Sequence, residues 1–148
     1  MHKVFSLILS ILLISNSVFF FCGCKEENEY DSRVKNIVKY LKETRNVNVD
    51  SCKKVYLLQA NKCNACNEEN INVIFKEFPA GTNNENIIFV LNGFNDSLIN
   101  VLLKKQMQFN FKIIIDEDGS LDKLGLSFMK NLFIYICNQK VIQWKFYE

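Results

Sequence analysis

The sequence predicts an α/β domain: a mixed β-sheet with helices on both faces, closed by a C-terminal β-hairpin. Three observations predict it. Short runs rich in β-branched and aromatic residues at 54–59, 87–91 and 109–115 alternate with helical patterns, as in successive units of a parallel sheet. The first two runs are apolar at neighbouring positions instead of alternating, as expected of strands covered on both sides. The last two runs, 132–137 and 141–147, are separated only by Asn138-Gln139-Lys140, so they fold back as a hairpin.

Each element has its own signal. Residues 31–44 read as a helix, with Asp31 or Ser32 as N-cap and Val34, Ile37, Val38 and Leu41 on one face. Residues 46–50 read as a loop or short extended piece, and 54–59 as the first strand. Residues 64–78 follow as a helix whose apolar stripe is Ile71, Ile74, Phe75 and Phe78; Pro79, the only proline, and Gly81 end it. After a polar loop (Asn83, Asn84, Asn86), strand 87–91 leaves through Asn92-Gly93. Asp96 or Ser97 then caps a helix to Lys105, with Leu98, Ile99, Val101 and Leu102 inward. Strand 109–115 ends in Asp116-Glu117-Asp118-Gly119, and 120–128 reads as one or two irregular helical turns. In the hairpin, alternation puts Trp144 and Phe146 on one face and Tyr147 on the other.

The organisation expected is a signal peptide over 1–23, a tether over 24–30 and a domain over 31–148. His2 and Lys3 form a charged head, and 4–21 is apolar apart from serines and one asparagine. The stretch ends in Phe21-Cys22-Gly23-Cys24-Lys25, and the Gly23-Cys24 junction resembles the lipobox of bacterial lipoproteins, in which Cys24 would become the lipidated first residue. Phe21 and Cys22 depart from that pattern, and an uncleaved anchor is the alternative. The acidic run after Cys24 (Glu26, Glu27, Glu29) reads as a solvated tether; it also resembles the export signal of surface lipoproteins in Bacteroidetes-type bacteria. The expected location is the cell envelope, anchored by lipid at Cys24 and facing the periplasm or cell surface.

Composition narrows the chemistry. Basic and acidic residues number 18 and 16 and are interspersed, which argues against a nucleic-acid partner. The only histidine is His2, inside the signal, so the domain has no imidazole for a nucleophilic triad or a metal site of the usual kind. The five glycines are scattered, so there is no phosphate-cradling loop, and no cofactor is expected.

What remains is Cys63-Asn64-Ala65-Cys66, set between a strand and a helix. Backbone N–H groups and the positive dipole end at a helix start favour a thiolate at the first cysteine. Lys62 would add to this, and Glu68 and Glu69 would oppose it. The functional reading is a redox dithiol; the plain one is a permanent structural disulfide in an exported domain. A right-handed crossover places the helix over the sheet and the CxxC turn at the carboxyl edge of its strand, where chemistry gathers in open α/β sheets.

With strand–CxxC–helix, the Asp-rich turn after 111–115 and the final hairpin in place, residues 54–147 resemble the thioredoxin-like fold. They are similar in particular to membrane-anchored thiol–disulfide oxidoreductases of the TlpA/ResA kind. The resemblance implies Cys63 as attacking and Cys66 as resolving cysteine, with protein thiols or disulfides in the cell envelope as partners. Three positions depart from the family. Lys62 replaces a bulky residue, Met129-Lys130-Asn131 lacks the cis-proline, and Leu57 stands where a buried carboxylate is usual.

In a thioredoxin-like sheet strand 54–59 lies antiparallel beside 132–137. The resemblance therefore implies that Cys52 and Cys137 meet at one edge and form a structural disulfide. Two free buried thiols are the alternative, and a zinc site of Cys52, Cys63, Cys66 and Cys137 is a third reading. The function expected is an exported, lipid-anchored thiol–disulfide oxidoreductase; the alternative is a non-catalytic binding or assembly lipoprotein whose disulfides only stabilise it.

Overall fold

The computed structural model describes residues 24–61, 64–78 and 84–147, with side chains from Glu29 onward except that of Asn64. The signal segment, Cys22, Lys62, Cys63, Pro79, Gly81 and Asn83 lie outside the described residues, as does the side chain of Cys24. The chain divides into two compact units, Met1–Ser32 and Arg33–Glu148.

The first described helix, α1, spans Cys24–Lys39, so it begins well before Asp31 and Ser32. Neither caps it. The Ser32 hydroxyl instead donates back to the Glu29 carbonyl at 2.9 Å, the local bond a serine makes inside a helix. From Lys39 the helix widens into a π-turn, Tyr40–Thr44, in which the Arg45 amide reaches the Tyr40 carbonyl at 3.1 Å.

Within the second unit the sheet has five strands: β1 (Lys53–Gln59), β2 (Ile87–Asn92), β3 (Lys112–Asp116), β4 (Asn131–Cys137) and β5 (Lys140–Tyr147), in the order β3-β2-β1-β4-β5. β1, β2 and β3 are parallel, while β4 is antiparallel to β1 and β5 to β4. The sheet is mixed and ends in a C-terminal hairpin, as the sequence predicts. Helix α2 (Asn64–Lys76) links β1 to β2, and α3 (Asp96–Phe109) links β2 to β3. Both crossovers step in the same direction, so one handedness puts both helices on one face.

That face buries Tyr56, Leu58, Phe89 and Leu91 against Ile71, Ile74, Phe75, Leu98 and Leu102. Its centre is aromatic: Tyr56 stacks on Phe89 at 5.0 Å, and Phe75 on Phe89 at 5.4 Å. The alternate residues Val55, Leu57, Ile88, Val90, Leu132 and Ile134 are buried on the other face. Val34, Ile37, Tyr40 and Leu41, buried likewise, cover it from the helical segment beyond Arg33, with Leu121 of the short helix α4 (Ser120–Lys123). Each fully buried aliphatic contributes about 1.5–3 kcal/mol, so these two apolar layers hold the sheet.

Boundaries shift where a polar side chain decides them. Asn95, not Asp96 or Ser97, caps α3, its Oδ1 accepting the Leu98 amide at 3.1 Å. The same helix continues past Lys105 to Phe109, because Asn110 supplies the left-handed turn (φ 44) that ends it. β3 consequently starts at Lys112 rather than 109. The hairpin turn is only Asn138-Gln139, both at positive φ (50 and 60), the geometry that two-residue hairpins require.

Candidate functional site: the junction of β1 and α2

β1 ends at Gln59 and α2 begins at Asn64, so the CxxC motif spans the junction. Cys66 is exposed on the first turn of α2. Its intended partner Cys63 lies outside the described residues, so the structure brings to the site one of the two predicted redox cysteines. Glu68 accepts the Ser97 hydroxyl at 3.4 Å, tying the first turns of α2 and α3 together, while Glu69 is exposed.

Beneath this junction sits a cluster of carboxamides. The backbone N–H and C=O of Gln59 face the β4 side of the strand, but the β1–β4 ladder stops at Leu57↔Leu132. Two side chains complete it. Asn131 accepts the Gln59 amide at 2.9 Å, and Asn67 donates to the Gln59 carbonyl at 3.1 Å. Asn131 then donates to Asn67 at 3.2 Å, and both are essentially fully buried. The Gln59 side chain accepts from Asn92 at 3.0 Å, leaving its Nε2 buried without a partner. Leu57 is wholly buried where the resemblance would put a carboxylate, so the polar groups here are amides that do not titrate.

The rim is held by Asn95, which donates to the Ala60 carbonyl at 2.9 Å, and by Gly93, whose φ of 93 suits glycine. Phe94 beside it is 58 % exposed, and Met129, just before β4, is 92 % exposed. Both belong to the carboxyl edge of the parallel strands. Met129-Lys130-Asn131 contains no cis peptide bond.

Cys52 and Cys137 form a disulfide with Cα atoms 4.0 Å apart. The register explains it: Lys53 pairs with Ile136, so the flanking cysteines face each other at the edge. This corrects the reading of two free thiols, and it consumes two of the four sulfurs the zinc reading needs. No group of three or more His, Cys, Asp or Glu side chains able to hold a metal exists among the described residues. Likewise, no helix among them is long and apolar enough to cross a membrane.

The Asp-rich turn has a structural task. Asp116 has a side chain with no exposure, and it binds Arg45 at 2.5 Å, the Tyr40 hydroxyl at 3.2 Å and the Leu121 amide at 3.0 Å. Arg45 also reaches Asp118 at 2.7 Å. Burial raises the Tyr40 hydroxyl pKa above its usual value. Partial burial works against the Arg45 charge, but bonds to Tyr40 and Asp116 hold its pKa above normal. Bonds from Ser120, followed by Asp116 and Arg45, keep Asp118 well below the carboxylate range. Both oxygens of Asp116 are engaged in closing the π-turn onto β3 and α4.

Sequence reasoning found Cys66, Cys52 and Cys137 but missed Gln59, Asn67, Asn92 and Asn131. Their signal was faint: an amide closing each apolar run, at Gln59 and Asn92, and an amide opening the next at Asn131. Comparison with known protein families and with curated proteins finds nothing that matches this chain.

Proposed function

We propose that this protein is an exported, lipid-anchored thiol–disulfide oxidoreductase of thioredoxin-like type. The observation that carries the reading is an exposed Cys66 on the first turn of a helix that follows the central strand of a mixed sheet. A cysteine so placed is open to exchange, and its motif partner precedes the helix. In the reducing direction the Cys63 thiolate attacks one sulfur of a substrate disulfide, breaking that bond and releasing a substrate thiolate. The Cys66 thiolate then attacks Cys63 in the mixed disulfide, releasing the second substrate thiol and leaving a Cys63–Cys66 bond. Two electrons pass to the substrate; oxidation of a substrate dithiol is the reverse. Lipidation at Cys24 would hold the domain at a membrane in the cell envelope, with protein thiols and disulfides as partners.

The amide cluster favours a second reading, a non-catalytic binding lipoprotein, because no titrating group in it can take the proton of Cys66. Thiol trapping with mass resolution across a dithiothreitol or glutathione series decides between them. A pair that reduces within the range of known exchangers supports the enzyme. A pair still oxidised below about −300 mV supports the binding reading. A Cys66→Ala variant should accumulate mixed disulfides through Cys63, and metabolic labelling with palmitate checks Cys24.

A further inference from the structure

Away from the cysteines, a groove of ≈ 540 Å³ opens between the last turns of α1 and the start of β5. Its walls carry Lys35, Lys39 and Lys42 from the helical segment and Lys140 from the hairpin, against a single carboxylate, Glu43. Val38 and Val141, both half-buried, add the apolar part of its lining.

Three features set this groove apart from an ordinary solvated face. First, Lys35 and Lys39 are four residues apart, and Lys42 follows three further on. Like charges at these spacings destabilise a helix slightly, so helix formation does not account for the stripe. Second, Glu43 could pair with Lys39 across one turn, yet the ion pairs among the described residues involve only Arg45 with Asp116 and Asp118. Among the described residues, no carboxylate stands within ion-pair distance of any of the four ammonium groups.

Third, one wall is fixed in place. Gln139 occupies a turn position where glycine is usual, at φ 60. Its side chain accepts from Lys42 at 3.0 Å and donates to Asp50 at 2.6 Å, while its backbone amide donates to the Val49 carbonyl at 3.1 Å. The Cys52–Cys137 disulfide staples the same end of the hairpin. A glycine here would make the turn more easily but would release Lys42. Strain held by surrounding bonds is characteristic of binding sites.

We infer that this groove binds a phosphate-bearing anion attached to a small apolar body. Four ammonium groups opposed by one carboxylate suit a dianion better than a single carboxylate ligand. A phosphate monoester carries about −1.5 to −2 charges near neutral pH, and lysines meet it as mobile point charges. The phosphate can belong to a soluble compound or to a lipid headgroup; the contacts are the same. The inference is independent of the cysteine chemistry.

The test is titration of the purified protein with inorganic pyrophosphate by calorimetry, and co-sedimentation with phosphatidylcholine vesicles containing phosphatidic acid. Saturable pyrophosphate binding without vesicle retention assigns a soluble phosphate. Vesicle retention that pyrophosphate competes away assigns a headgroup. Removing two exposed charges, Lys39→Gln with Lys140→Gln, should weaken binding by at least about tenfold. Glu43→Gln should tighten it by about two- to threefold. The charge-matched control Lys104→Gln with Lys112→Gln, remote in sequence from the groove, should leave it unchanged. Absence of saturable binding to either probe overturns the inference, and so does an equal loss in the control.

Discussion

Asn131 accepts the backbone amide of Gln59 at 2.9 Å, so a side chain takes the place of a strand partner at the end of β1. β4 cannot supply that partner, because it starts at Asn131 itself. The same amide group turns its nitrogen to Asn67, one residue beyond Cys66. Strand end, helix start and the opening of β4 are therefore locked by two carboxamides, Asn67 and Asn131, on the backbone of Gln59.

Replacing Asn131 with Leu should cost about 2–3 kcal/mol, because it orphans the buried Gln59 amide and one acceptor of Asn67. Urea unfolding would show a lower midpoint at unchanged slope. A variant as stable as the parent would mean that water reaches the cluster.

The Cys52–Cys137 disulfide closes a loop with a sequence separation of 85 residues. Long loops restrict the unfolded chain strongly, so Cys52→Ser together with Cys137→Ser should lower stability by about 2–5 kcal/mol. Thermal melts with and without reductant provide the comparison. The double variant should show no further loss on reduction beyond that of the CxxC pair.

Asp116 and Asp118 should separate cleanly. Asp116→Asn removes the buried carboxylate that gathers Arg45, Tyr40 and the Leu121 amide, leaves Arg45 only Asp118, and should destabilise by about 1–3 kcal/mol. Asp118 is exposed and its folded pKa is depressed. Its contribution is present above the unfolded value of about 3.9 and is lost as pH falls towards the folded one. Asp118→Asn should therefore lower stability modestly at neutral pH and leave it unchanged at the acid extreme, which flattens the acid limb of the stability profile.

At the alkaline end the sign reverses. Burial raises the hydroxyl pKa of both Tyr56 and Tyr147. The neutral phenols' contribution is complete below about pH 10 and is lost as pH rises from there towards the folded values. Tyr56→Phe should make the decline above pH 10 shallower, read by denaturant midpoints across pH. Phenolate absorbance of the folded parent should lag behind that of the unfolded chain.

Much of this protein is legible in its sequence because burial leaves a periodic trace. The apolar runs at Val55–Leu58 and Ile87–Leu91 announce doubly covered strands, and Ile71, Ile74 and Phe75 announce a helix face, since each pattern follows from which side chains must leave water. The pairing of Cys52 with Cys137 followed once an antiparallel neighbour was assumed for β1. Only the tertiary structure decided where the buried polar groups find partners. Asn131 is 72 residues from Gln59 and 64 from Asn67, and the three gain meaning only when their elements converge. Asn95 and Asn110 set the ends of α3 through single hydrogen bonds and a left-handed turn, which leave no period to read. Hydrophobic burial is summed over many residues and so is written along the chain; polar satisfaction is settled pair by pair, in space.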